Sequence, residues 1–142
     1  MRLSMTARKI SRNKSAVHDI NYHLIFVTNY RKRVLNGGTA DVLERLLRDI
    51  AARRGLEIIS LSIQPDHVHL FVSADPFQTP CAIVKSFKGE TALKLFREFP
   101  SLRLHLWKGA LWSPSYWVST AGSISSETVK NTLNSKEPVE KV

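Results

Sequence analysis

Cysteine occurs once in the 142-residue chain, at Cys81, so there is no internal disulfide framework and apolar packing must hold the fold. No apolar run approaches the roughly 18 residues that a membrane span needs. The basic start Met1-Arg2-Leu3-Ser4 leads into no signal-peptide core. We therefore expect a cytoplasmic chain with no membrane partner and a reduced thiol. Acidic residues are also scarce, 12 Asp and Glu against 21 Lys and Arg, giving a formal net charge of +9. That balance favours a polyanionic partner, most simply nucleic acid, because neutralising phosphates releases condensed counterions. A solubilising basic surface is the plainer alternative. Internal repeats and low-complexity tracts are missing, and tyrosine is confined to Tyr22, Tyr30 and Tyr116.

A hydrophobic content of 43% suits a chain of this length, which can bury about 70% of its unfolded surface without staples. The basic excess is concentrated near the start. Arg2, Arg8, Lys9, Arg12, Lys14, Arg31, Lys32 and Arg33 lie within the first 33 residues, against Asp19 as the single acid. Residues 1–16 are polar and without period, which predicts a flexible basic arm ahead of one domain over residues 17–142.

From His18 the pattern alternates. Ile20, Tyr22, Leu24 and Phe26 fall on one strand face, and Asn21, His23, Ile25 and Val27 on the other. After Asn36-Gly37-Gly38, the spacing predicts a helix over residues 41–54, with Asp41 and Glu44 as a capping pair and Gly55 as its stop. Leu56–Gln64 and His67–Ser73 read as two strands joined by a tight turn at Pro65-Asp66. A second amphipathic helix is expected over residues 80–97, with Ile83, Val84, Phe87 and Leu95 inward and Lys85, Lys88 and Lys94 in water. An irregular segment holding Trp107 and Trp112 precedes a strand over residues 115–120 and a last helix over about 125–136. The order implies an α+β fold: a ferredoxin-like (split βαβ, RRM-like) antiparallel sheet with helices on one face, plus a C-terminal helix.

The sharpest local signal is Pro65-Asp66-His67-Val68-His69-Leu70. Residues two apart on a strand point the same way, so His67 and His69 share a face while Val68 and Leu70 supply burial. Such a pair fits a divalent cation seat, and it equally fits two half-exposed strand histidines with ordinary hydrogen bonds. A third ligand is not named by the neighbouring residues.

Four blocks in order, Tyr22-His23-Leu24-Ile25-Phe26, Tyr30-Arg31-Lys32-Arg33-Val34-Leu35, Pro65-Asp66-His67-Val68-His69-Leu70 and Leu111-Trp112-Ser113-Pro114-Ser115-Tyr116, carry a resemblance. From about His18 to Lys136 the chain resembles the HUH single-tyrosine transposases of the smallest insertion sequences, the IS200 type. The resemblance implies a homodimer that binds hairpins near the ends of a mobile element as single-stranded DNA. It implies that His67 and His69 hold Mg²⁺ or Mn²⁺ at the scissile phosphate. A tyrosine on the C-terminal helix would attack that phosphate to leave a 5′-phosphotyrosine and a free 3′-hydroxyl.

The chain departs from the family pattern at that helix. Thr132 stands where the nucleophilic tyrosine belongs, and Lys136 where a glutamine completes the metal site. The two lie one turn apart on one helical face. A threonine hydroxyl sits nearer the backbone and its alkoxide is a poor leaving group, while a lysine ammonium has no lone pair to donate. Impaired strand transfer is therefore expected. A catalytically inactive DNA- or RNA-binding module and a metal-dependent phosphoesterase on the same fold are the alternatives, and Tyr116 is a remote substitute nucleophile.

For DNA contacts the candidates are Arg31, Lys32 and Arg33 after the first strand, and Lys85 and Lys88 on the second helix. His23 is expected to be structural, Cys81 a small buried residue, and the tryptophans packing residues, one of which could stack on a base.

Overall fold

Alternation from Ile20 places two different surfaces on one strand, and that division organises the molecule. A computed structural model describes residues 11–12, 17–18, 20–106 and 109–121. β1 (Ser11–Arg12) pairs with β2 (Val17–His18) as a short antiparallel ladder. β3 (Ile20–Thr28), α1 (Gly37–Arg53), β4 (Glu57–Gln64), β5 (His67–Ala74), α2 (Pro80–Glu98), a 3₁₀ segment (Pro100–His105) and β6 (Trp112–Ala121) follow. The four long strands form one sheet in the order β4-β5-β3-β6, every neighbour antiparallel. This is the predicted ferredoxin-like arrangement, with β5 and β3 central. The expected helix over residues 125–136, and most of the predicted basic arm, lie outside the described residues.

α1 buries Val42, Leu43, Leu46, Leu47, Ile50 and Ala51, the stripe that a 3.6-residue period selects. Gly55 ends it with φ +68, a left-handed conformation suited to glycine. Its start differs from expectation. The helix begins at Gly37, one turn ahead of Asp41, because the Asn36 carbonyl accepts from the Thr39 and Ala40 amides at 3.0 and 3.4 Å and Thr39 is buried. In place of capping with Asp41, Glu44 accepts from Arg48 at 3.0 Å. α2 opens as the sequence suggests, with Pro80 in its first turn and the Thr79 hydroxyl accepting from the Ala82 amide at 3.1 Å.

Three side chains of this half are placed differently from expectation. Lys88 is not in water: it faces β6, and Nζ donates to the Ser113 carbonyl at 2.6 Å and the Ser115 carbonyl at 3.4 Å. Burial lowers its pKa. Cys81 is exposed, because the first turn of α2 carries it on the solvent side. Trp112 belongs to the beginning of β6, not to an irregular segment, and its indole N–H donates to the Thr91 hydroxyl at 3.0 Å inside the core. Phe26 meets its ring edge-on at 4.8 Å. Trp107 lies outside the described residues.

The sheet face under the helices is apolar: Tyr22, Leu24 and Phe26 of β3, Leu61 and Ile63 of β4, and Val68, Leu70 and Val72 of β5 join the helical stripes in one core. The opposite face carries Asn21, His23, Ser60, Ser62, His69 and Ser73, and all six are buried. A register shift between Ile58 and Ser60 turns Ile59 onto Phe71 as a small separate apolar cluster on that side.

Candidate metal and DNA-joining site

The β4–β5 hairpin closes with Gln64 opposite His67, leaving Pro65 and Asp66 as its two turn residues. β3 runs along the other side of β5, with Val27 opposite His67 and Ile25 opposite His69. The two histidines therefore project from the middle of the sheet to the same polar face, His67 partly exposed and His69 buried.

Asp66 orients the first ring. Its Oδ1 lies 2.8 Å from His67 Nδ1, and its Oδ2 accepts from Arg31 Nε at 3.2 Å. Partial burial pushes the Asp66 carboxyl upward, but the hydrogen bond from His67 and the charge of Arg31 prevail and hold it below the usual carboxylate value. An ionised carboxylate only accepts, so His67 Nδ1 is the donor. In the neutral ring the lone pair then sits on Nε2, the nitrogen available to a cation.

Arg31 reaches Asp66 from a strained turn. Tyr30 and Arg31 both adopt left-handed backbone, with φ of 55 and 53, a conformation that costs a non-glycine residue about 1–2 kcal/mol. Hydrogen bonds on both sides hold it: Thr28 amide to the Asp66 carbonyl at 3.0 Å, Leu35 amide to the Pro65 carbonyl at 2.9 Å, and Asn29 amide to the Leu111 carbonyl at 2.8 Å. The Thr28 hydroxyl also donates to the Lys32 carbonyl at 2.7 Å. The basic turn and the histidine hairpin are thus one unit.

His23 packs against the second ligand candidate. Its ring centroid is 4.1 Å from that of His69 and 4.9 Å from Trp117, edge-on in both cases. Burial, and secondarily the neighbouring His69, push its pKa down to about 3, so it is neutral at physiological pH. Its Nε2 is buried without a hydrogen-bond partner among the described residues. The described residues contain no group of three or more His, Cys, Asp or Glu side chains placed to hold one ion. The nitrogen donors His67 and His69 fit one half of a divalent site, with the carboxylate behind His67 as its outer partner.

The basic candidates divide. Arg31 is engaged with Asp66, and Lys88 with the β6 carbonyls, so neither is a freely pendant cation. Lys32 and Arg33, with Asn36, Ser101 and His105, line an open groove of about 640 Å³. Lys85 is exposed on α2. Tyr116 pairs with Phe26 in register and packs against the helical core, the side away from the histidines. A hydrogen bond to Cys81, reinforced by burial, raises its pKa, which weakens it further as a nucleophile. Thr132 and Lys136 lie outside the described residues.

The Arg31–Asp66–His67 connection was not visible in the sequence, although Asp66 stands within the histidine motif. Arg31 is 35 residues away, and only the clamped turn joins them.

Comparison with known proteins places the chain in a family. Residues 16–135 match the protein family described as "Transposase IS200 like". The ISDra2 transposase TnpA of Deinococcus radiodurans is 39% identical over 132 residues, covering 93% of this chain and 94% of that protein. The transposase for insertion sequence element IS200 of Salmonella typhimurium is 24% identical over 112 residues, covering 77% and 74%. A crystal structure of a transposase from Deinococcus radiodurans R1 superposes with a TM-score of 0.75 at 38% identity, covering 88% of this chain and 96% of that one. A REP-associated tyrosine transposase bound to a REP hairpin shares the fold, with a TM-score of 0.55 at 15% identity, over 90% of this chain and 67% of that one. With the family matched across most of the chain and a relative of this identity over nearly its full length, the chain belongs to the IS200-like transposase family.

Proposed function

We propose that this protein binds DNA hairpins of an insertion sequence through their single strands, holds a divalent cation on His67 and His69, and is impaired in strand transfer because Thr132 replaces the family tyrosine. The observation that carries the reading is the orientation of the histidine pair: one face of β5, with Asp66 fixing the nearer ring. Family membership and the hairpin-bound neighbour in the same fold support it. When bound, Mg²⁺ or Mn²⁺ supplies positive charge that polarises the scissile phosphate.

The chain's own residues divide the remaining work. Lys32 and Arg33, beside the groove, attract the phosphate backbone, and Lys85 adds charge from α2. Arg31 holds Asp66 through Nε, and its guanidinium carries further N–H donors that suit a phosphate. At the nucleophile position Thr132 offers a hydroxyl too short to reach and too basic to leave, so a stored ester does not form and reverse. Lys136, as an ammonium, has no lone pair with which to ligate a cation as a glutamine oxygen would. Pairing of two chains as a homodimer belongs to the same reading.

A labelled oligonucleotide with a DNA hairpin and single-stranded flanks, incubated with the full chain and Mn²⁺, tests this. The expected result is tight, salt-sensitive binding without a covalent adduct on a denaturing gel. Changing Thr132→Tyr with Lys136→Gln should create the adduct. Adduct formation in full yield by the unaltered chain, a clear preference for the RNA version, or metal-dependent hydrolysis without an adduct would overturn the proposal.

A further inference from the structure

We propose that Asp66 and Arg31 are positioning residues for the cation seat: Arg31 holds Asp66, and Asp66 fixes the His67 ring so that its Nε2 lone pair faces outward. The inference rests on the reading of His67 and His69 as ligands, but it goes beyond it by giving Asp66 a part in holding that site and Arg31 a part other than DNA contact.

The geometry is a chain of two contacts, Arg31 Nε to Asp66 Oδ2 at 3.2 Å and His67 Nδ1 to Asp66 Oδ1 at 2.8 Å. Each carboxylate oxygen serves one partner, which fixes the carboxylate plane as well as its charge. A carboxylate behind an imidazole selects the tautomer, raises the basicity of the far nitrogen and stops ring rotation. Without Asp66, a strand histidine has two tautomers and two ring flips, so only a fraction of molecules presents Nε2 to an ion.

A second, independent observation points the same way. Tyr30 and Arg31 occupy left-handed backbone, which nothing in their side chains favours. Strain of this kind persists only where the surroundings enforce it. Beside the bonds inside the turn, three tie it to its neighbours: Thr28 to the Asp66 carbonyl, Leu35 to the Pro65 carbonyl and Asn29 to the Leu111 carbonyl. Their result is to bring Arg31 back over the hairpin turn that carries Asp66. Lys32 and Arg33 follow directly in the chain and line the groove. Arg31, which holds the orienting carboxylate, is thus consecutive with the proposed DNA contacts Lys32 and Arg33.

The test uses Mn²⁺ alone and the full chain without DNA. Mn²⁺ affinity is read by electron paramagnetic resonance, and the His67 tautomer by nitrogen chemical shifts of the metal-free protein. Asp66→Asn should weaken Mn²⁺ binding about 10- to 100-fold and mix the tautomers, where the unaltered chain shows Nδ1–H alone. Arg31→Ala should act in the same direction by a smaller factor. The two residues lie in two adjoining turns, Arg31 exposed and Asp66 partly buried, and an unchanged thermal midpoint establishes that the variants fold. His67→Ala separates the two proposals. If it abolishes Mn²⁺ binding while Asp66→Asn stays within twofold with an unchanged tautomer, the positioning role is overturned and the cation seat stands. If it leaves Mn²⁺ binding intact, the cation seat itself falls.

Discussion

Both faces of the four-stranded sheet are largely closed to solvent, but one is apolar throughout and the other sets buried polar side chains among Ile25, Val27, Ile59 and Phe71. Under the helices, Leu24, Phe26, Leu61, Val68, Leu70 and Val72 make a core whose contribution is burial itself. On the other side, His23, His69, Asn21, Ser60, Ser62 and Ser73 are buried with little apolar surface to gain from it. A polar layer of that kind is an expensive way to hold a sheet together. It is economical only where the layer does chemistry. The contrast locates the site more sharply than any pocket, for the histidine pair and its neighbours all sit on the costly face.

The largest effect that would break this contrast is on the helix-packed face. Phe26→Ala should destabilise the protein by about 3–5 kcal/mol, read as a lower urea midpoint, since the ring is fully buried and meets Trp112 edge-on. Ser62→Ala, at the same depth on the polar face, should move the midpoint by less than about 1 kcal/mol. Equal losses at the two positions would mean that both faces serve as core.

Next in size is a pH effect from His23. The ring is neutral in the fold, with a pKa of about 3, whereas in the unfolded chain it takes up a proton near the ordinary histidine value of 6.5. Between those values the unfolded state binds more protons, so stability rises with pH through this window and is level above it. Going down from pH 6.5, the loss approaches about 1.4 kcal/mol per pH unit. Denaturation midpoints of the wild-type chain and of His23→Asn at pH 7 and pH 5 check this. The wild type should lose about 2 kcal/mol more than the variant over that interval. Parallel curves would show that His23 carries no such cost.

These contrasts also mark where the sequence was legible. Period-two alternation in β3 and β5 assigned both faces, and 3.6-residue spacing assigned the helical stripes, because those patterns depend only on local geometry. Register is a different kind of information. The sequence put His23 and His69 on polar faces of separate strands, but their ring contact at 4.1 Å follows from pairing Ile25 with His69. Lys88 shows the same limit. A helical wheel placed it outside the apolar stripe, and only the position of β6 supplied the Ser113 and Ser115 carbonyls that take its ammonium. At α1, the buried Thr39 and the Asn36 carbonyl outweighed an attractive Asp41 cap. The histidine motif was readable because its spacing is two, while Arg31, far away in sequence, was readable only as a charge.

The smallest expected effect is the most discriminating. Tyr30 is well exposed and left-handed, so replacing it with glycine removes backbone strain at little loss of packing, offset in part by the greater freedom of glycine in the unfolded chain. Tyr30→Gly should therefore raise stability by up to about 1 kcal/mol, seen as a slightly higher thermal midpoint. The same change loosens the turn that presents Arg31 to Asp66, so Mn²⁺ affinity should fall even as the fold tightens. Opposite signs in one variant are what a strained positioning device produces, because the bonds to the Asp66, Pro65 and Leu111 carbonyls hold the turn in the conformation that brings Arg31 to Asp66. If stability and Mn²⁺ affinity rise together, the left-handed pair is an incidental feature of the turn, and the polar face owes nothing to it.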